Sequence, residues 1–334
     1  MRVNIHYSPQ QLDADTLERL FVNREKQLNQ IVKHIFDAGE FGALAHTHII
    51  GPRGSGKTYL ILMAYNAAKK NENYGKRYLL SLLPEESFEI TSYETLMDLI
   101  DENREPQKTN GTSEESGKSY INNSRENVIT VAFIENFDQV LNDLRVEGQK
   151  RLRAYIERNR NLLLITTAQQ LSEKSFDQSM PFYGFFDTIN LKPFNTEQIT
   201  RLLAKQAEVN GNTALSLRLQ EPGTQARLAA LVKVTGGFPR IWSFFSFGLA
   251  EGDLPDMTGL MLEKLDLFTP LYQEMIKRLS TNERKAVMAL INNEGAMTVK
   301  MLADKTGIEQ KSLSTTLRML PVGWITPCGG YLMR

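Results

Sequence analysis

Five short apolar runs, Thr47–Ile50, Arg77–Leu83, Val128–Ile134, Leu162–Thr166 and Thr188–Leu191, have the length and residue types of β-strands. Stretches with helical spacing of apolar positions separate them, among them Tyr59–Lys70, Tyr93–Ile100 and Gln149–Asn159. This alternation predicts an α/β fold: a parallel sheet covered by helices on both faces. After Pro193 the strand signals stop, and Thr196–Asn210, Thr224–Val234 and Pro239–Leu249 read as helices. Near Pro270 the pattern changes again. Ser280-Thr281-Asn282-Glu283 has capping-box spacing and opens a helix toward Asn293. Val299–Thr306 forms a short helix ending at Gly307, Glu309–Leu320 follows a tight turn, and Gly323–Arg334 reads as a hairpin turning at Gly329-Gly330. No period of 20–50 residues repeats, which argues against a solenoid.

Composition narrows the picture. The 334 residues carry 39 Lys+Arg and 39 Asp+Glu, so no polybasic or polyacidic argument applies to the whole chain. From Pro270 onward nine Lys/Arg face five Asp/Glu, a local excess of four positive charges. A single cysteine, Cys328, excludes an internal disulfide. The longest apolar run, Ile241–Ala250, is far short of the roughly 20 residues that span a bilayer, and the N-terminus lacks the order of a signal peptide. A soluble, cytoplasmic protein with no membrane partner is expected. Residues 101–127 contain one aliphatic side chain, Ile121, and read as a mobile insertion, either a plain surface loop or a partner-binding one.

Gly51-Pro52-Arg53-Gly54-Ser55-Gly56-Lys57-Thr58 completes the pattern G-x-x-x-x-G-K-[ST] between a strand and a helix. Glycines there let backbone N–H groups turn toward phosphate oxygens, and the helix adds its positive end. Lys57 is expected to reach the β- and γ-phosphates of ATP, with the Thr58 hydroxyl on Mg²⁺. Such a loop needs an acidic group on a neighbouring strand. The run Val128–Ile134 supplies it, continuing into Glu135-Asn136-Phe137-Asp138.

Together these segments resemble the AAA+ and STAND ATPases, particularly their origin-initiator-like branch. In that family the apolar strand usually ends Asp-Glu, with Asp at the metal and Glu polarising water. The matching positions here are Glu135 and Asn136. Glu135 can serve the metal; Asn136 can orient a water but cannot accept its proton, so ATP binding with slow hydrolysis is expected. Either Glu135 covers both roles or a partner completes the site. Phe21-Val22-Asn23-Arg24-Glu25 resembles the box that lies near the adenine, or is an ordinary helix start. Leu162–Thr167 resembles the sensor 1 strand, which puts Thr167 near the γ-phosphate. Phe182–Pro193 resembles the last core strand. Gly236-Gly237-Phe238-Pro239-Arg240 resembles the sensor 2 motif; Pro239 suits the first helical position, and Arg240 in that positive first turn calls for an anion nearby. The resemblance thus implies a catalytic group of Lys57, Glu135, Asn136 and Arg240. One family part is missing, since no arginine lies between Asn161 and Thr200 to act as a finger on a neighbour's ATP. Arg151, Arg153, Arg158 and Arg160 read as a solvated face.

The order helix, helix-turn-helix, hairpin is that of a winged-helix domain. In its third helix Leu313, Leu317 and Leu320 face the core, and Lys311, Ser314, Thr315 and Arg318 share another face suited to phosphate and base-edge contacts in a major groove. Glu309 works against tight binding, and a protein-contact role stays open. His46-x-His48 has no companion cluster for a metal and reads as strand-flank residues. The aromatic run Trp242, Phe244, Phe245, Phe247 reads as helical core. Three modules are expected: a P-loop NTPase parallel-sheet core over 1–192, a helical lid over 193–269 and a C-terminal winged-helix domain over 270–334. The expected function is a nucleotide-gated switch that binds or assembles on double-stranded DNA, with a protein partner or effector and a possible ATP-dependent homo-oligomer. A STAND-like signalling scaffold without nucleic acid is the alternative.

Overall fold

A computed structural model describes residues 9–85, 90–104, 128–169, 180–264, 269, 273, 276–277, 279–293, 297–320, 326–328 and 331–333, the last two stretches and 318–319 by backbone only. Two compact units make up the chain: Tyr7–Gly51 with Gly56–Leu191, and Pro52–Ser55 with Lys192–Arg334.

The first unit runs α1 (Ala14–Leu20), α2 (Glu25–Phe41), β1 (Thr47–Ile50), α3 (Lys57–Lys70), β2 (Tyr78–Leu83), α4 (Tyr93–Glu102), β3 (Ile129–Ile134), α5 (Phe137–Asn159), β4 (Leu162–Ala168) and β5 (Asp187–Asn190). The strands form one sheet in the order β2-β3-β4-β1-β5, every pair parallel. Both faces are covered. Val131, Phe133, Leu163 and Ile165 pack with Ile31, Ile35 and Leu60 on one side, and Ala132, Ile134, Leu162 and Leu164 pack with Leu96, Ile100 and Leu152 on the other. Alternate residues of one strand therefore serve opposite cores, which is why these strands read as unbroken apolar runs.

Three expectations are corrected. The helix read from Gln149 begins at Phe137 and is interrupted at Arg145 (φ 51, ψ −180), where Gln149 Nε2 donates to the Leu141 carbonyl at 2.6 Å. The insertion expected from residue 101 begins later, because α4 runs to Glu102 and Arg104 pairs with Asp101 and bridges to Ser81; residues 105–127 lie outside the described residues. His48 sits inside β1, not beside it.

The second unit carries α6 (Thr196–Val209), α7 (Thr213–Arg218), α8 (Pro222–Thr235), α9 (Pro239–Ser246) and α10 (Met257–Glu263). Asn195 and Gln198 close a capping box at the start of α6. Gly237 holds φ +68, and a Cβ there would fall 2.1 Å from the Phe194 carbonyl oxygen. That carbonyl's own residue donates its N–H to Gly237 O at 2.8 Å. Only glycine suits this left-handed, backbone-on-backbone position. Trp242, Phe244 and Phe245 are buried as expected, whereas Phe247 is 50% exposed.

The same unit ends in α11 (Thr281–Ile291), β6 (Met297–Thr298), α12 (Val299–Thr306), α13 (Gln310–Met319), β7 (Thr326–Cys328) and β8 (Tyr331–Met333). Ser280 and Glu283 form the expected capping box. Strand β8 pairs antiparallel with both β7 and β6; the turn at Gly329-Gly330 lies outside the described residues. Leu290, Leu302, Ile308 and Leu313 form the core of the three helices, and Leu317 packs against it. Among the described residues no helix is long and apolar enough to cross a membrane.

Candidate phosphate-binding site

The carboxyl-terminal edge of the sheet gathers the expected site. Strand β1 delivers Gly51, whose N–H bonds the Ala168 carbonyl of β4 at 3.2 Å. The loop then tightens, with the Ser55 N–H on the Pro52 carbonyl at 3.1 Å, and Gly54 (φ +82) and Gly56 (φ +93) take left-handed conformations. Gly56 is the residue before α3, so the first turn of that helix presents unshared N–H groups to the loop. Lys57 is buried, and its Nζ donates to the Gly51 carbonyl at 2.6 Å. The ammonium thus lies against the Gly51 carbonyl at the start of the loop.

Strand β3 ends two places away in the sheet, with β4 between it and β1. Glu135 at its end is buried and accepts a bond from the Thr58 hydroxyl. Its other oxygen accepts the Glu85 N–H at 3.4 Å. Burial pushes the Glu135 carboxyl above its usual range; the Thr58 and Glu85 hydrogen bonds and the Lys57 charge pull the other way, while the neighbouring Glu85 charge adds to the rise. Asn136 starts α5 in a left-handed conformation (φ 49, ψ 44) and donates its N–H to Thr167 Oγ1 at 3.1 Å. The structure therefore brings Lys57, Thr58, Glu135, Asn136 and Thr167 together at one edge.

These residues fit a nucleotide triphosphate with Mg²⁺. The glycine loop and helix start offer backbone donors, Lys57 offers a cation, and Thr58 with Glu135 forms a pair of hard oxygen donors already in contact. The buried Ser55 hydroxyl has no hydrogen-bond partner among the described residues. In the second unit the Arg240 N–H donates to the Gly54 carbonyl at 3.1 Å, and a Cβ on Gly54 would meet Arg240 Cβ at 3.1 Å. Arg53 and Pro52 belong to the same unit. Arg24 of the Phe21–Glu25 segment is buried, which lowers its guanidinium to about 10.

Other candidates fall elsewhere. Arg151 lies over the Tyr93 ring and pairs with Glu94, and Arg153 lies over the Phe185 ring and pairs with Glu157, so half of the arginine cluster is anchored on its own unit. On α13 Lys311 and Thr315 are exposed, Ser314 is half-buried, and the Ser314 and Thr315 hydroxyls donate to the carbonyls of Gln310 and Lys311. The Arg318 and Cys328 side chains lie outside the described residues. His46 accepts the Leu164 N–H at 3.1 Å and stacks on Phe185, and His48 Nδ1 lies 2.7 Å from Thr166 Oγ1. Among the described residues no three His, Cys, Asp or Glu form a metal cluster. Sequence reasoning missed Glu85; its only signal was a carboxylate just past an apolar strand.

The sequence matches no family model and no curated protein. In structure it is similar to ORC2 of Aeropyrum pernix in its ADP form, with a TM-score of 0.51 at 14% identity over 94% of this chain and 87% of that one. RuvB of Thermotoga maritima aligns at 16% identity, a TM-score of 0.47 and 94% and 93% coverage, and Cdc6p of Pyrobaculum aerophilum at 14%, 0.47 and 92% and 89%. The ORC2 likeness and the sheet order agree on the fold: an α/β, P-loop NTPase-like parallel sheet.

Proposed function

We propose that this chain is an AAA+-like, ATP-binding switch that hydrolyses ATP slowly and acts on double-stranded DNA through a C-terminal winged helix. The observation that carries the reading is the bond from Thr58 to Glu135, which joins the phosphate loop to the acidic strand end at the place a magnesium ion needs two oxygen ligands. Magnesium held there supplies charge neutralisation at the phosphate oxygens. Lys57, released from the Gly51 carbonyl, reaches the β- and γ-phosphates. Asn136 orients the attacking water through its carboxamide, and Thr167 holds Asn136 by its N–H. Arg240, tied to Gly54 by its backbone, reads the terminal phosphate. Residues 1–192, 193–269 and 270–334 serve as core, lid and DNA module.

On the C-terminal module, Lys311, Ser314, Thr315 and Arg318 would contact phosphates and base edges. A second reading, a STAND-like scaffold whose module contacts protein, draws support from Met288 (45% exposed), Ile291 (41%) and Met301 (48%) on α11 and α12. Steady-state ATP hydrolysis with and without duplex DNA, using Lys57→Ala as the blank, tests the proposal. A rate above the blank that rises with DNA is expected. Converting Lys311 and Arg318 to Glu is expected to remove that rise; a DNA response surviving the double change would discard the DNA face, and ATP affinity equal in wild type and Lys57→Ala would discard the site.

A further inference from the structure

The strand end that carries Glu135 has no second acid beside it, because Asn136 occupies the next position. Asn136 is left-handed (φ 49), a conformation that asparagine tolerates and that long side chains disfavour. The corner from β3 into α5 thus suits asparagine for a backbone reason as well. Both oxygens of Glu135 already accept a hydrogen bond, one from the Thr58 hydroxyl and the other from the Glu85 N–H. Asp138 lies inside the first turn of α5.

The neighbouring strand supplies a third carboxylate. Strands β2 and β3 are parallel with Leu83 opposite Ile134. Past the end of that ladder the Glu85 N–H reaches the Glu135 carboxylate at 3.4 Å, which places Glu85 beside the residue that precedes Asn136. Pro84, with its fixed φ and no N–H to donate, ends the ladder just before Glu85. The Glu85 side chain is exposed, while its N–H anchors the backbone on Glu135, whose other oxygen holds Thr58. The two carboxyls lie near enough for the Glu85 charge to act on Glu135.

We infer that Glu85, at the exit of β2, is the general base for ATP hydrolysis in this chain, in place of the acid missing at Asn136. This rests on the nucleotide reading of the site proposed above. In the step, the water oxygen forms a bond to the γ-phosphorus as the bond from that phosphorus to the β–γ bridging oxygen breaks. The bridging oxygen keeps the electron pair and leaves on ADP, and the water proton passes to the Glu85 carboxylate, which returns it to solvent after inorganic phosphate departs. Asn136 orients the water and Glu85 deprotonates it.

The test uses the full chain, with ATP and Mg²⁺ as probes, single-turnover hydrolysis with and without duplex DNA, and Lys57→Ala as the blank. Glu85→Gln is expected to bind ATP within about twofold of wild type and to hydrolyse it about 100-fold more slowly, the usual scale of a lost general base. Glu85→Asp, which keeps the carboxylate, is expected to fall between the two. Hydrolysis by Glu85→Gln at the wild-type rate overturns the inference. So does recovery of that rate at high Mg²⁺, which would make Glu85 a metal ligand. A wild-type chain that binds ATP but hydrolyses it no faster than the blank overturns the inference and leaves nucleotide binding standing, whereas failure to bind ATP at all overturns both.

Discussion

One parallel sheet treats buried polar groups in two opposite ways along its length. Within the strands, buried polar groups are satisfied inside the protein: His46 by the Leu164 N–H, His48 by Thr166, and Thr47 by the half-buried His34. Burial keeps the His46 and His48 imidazoles neutral, lowering both to about 4. Past the strand ends the pattern changes. Lys57 and Glu135 are buried there, and burial pushes the Glu135 carboxyl above its usual range. A buried polar group is thus a poor marker of function by itself. The marker is a buried ionisable group at a strand end, beside a glycine loop, where a ligand can take a partner's place.

The sharpest way to separate the two regions is acid. The folded-state values of His46 and His48, about 4, lie below the ordinary 6.5, so the unfolded chain binds protons that the folded chain refuses. Their contribution is fully present above pH 6.5 and is lost as pH falls toward 4. Lowering the pH from 7.5 to 5 is expected to cost about 2 kcal/mol per histidine, read from urea midpoints. Changing both to Gln should flatten that slope; an unchanged slope would mean the two rings are not held neutral by burial. Past the strand ends Lys57→Ala is expected to weaken ATP binding at least about 100-fold, through loss of charge-assisted contacts, while leaving the thermal midpoint near wild type. A titration of ATP against both proteins measures this directly.

Much of this was legible because it is local. The bounds of β1 match the run Thr47–Ile50, and the glycine loop announces itself by residue type and by its place between strand and helix. The 236–240 segment was legible for the same reason: Gly237 must accept a backbone contact from Phe194, and Pro239 starts a helix. What was hidden depends on strand order or on dihedral angles. Nothing along the chain says that the Glu85 N–H reaches Glu135, since that follows from β2 lying beside β3 in the sheet. The break at Arg145 was equally hidden, because no proline or glycine occupies that position. Asn136 carries a second reason that its residue type hides. By residue type it looks like a catalytic acid that has been lost, yet its backbone conformation gives a separate reason for asparagine.

Two smaller changes at that corner sharpen the point. Thr167→Val removes the oxygen that accepts the Asn136 N–H and leaves that donor without its partner beside a buried strand end. A loss of about 1–2 kcal/mol in urea denaturation is expected, together with slower ATP turnover as Asn136 loses its anchor.

The smallest effect tests the backbone argument alone. If the left-handed angle at Asn136 decides its residue type, Asn136→Gly should leave stability within a few tenths of a kcal/mol of wild type, and Asn136→Ala should lower it by about 1 kcal/mol. Catalysis should rank the two differently, because both lack the carboxamide that orients water and both should turn over slowly. Equal stability of the two variants would mean the corner relaxes out of its left-handed conformation, and asparagine would then be there for its side chain only. Slow turnover in both variants with unequal stability separates the two uses of one residue: a backbone that makes the turn, and a carboxamide that works beside the carboxylate of a neighbouring strand.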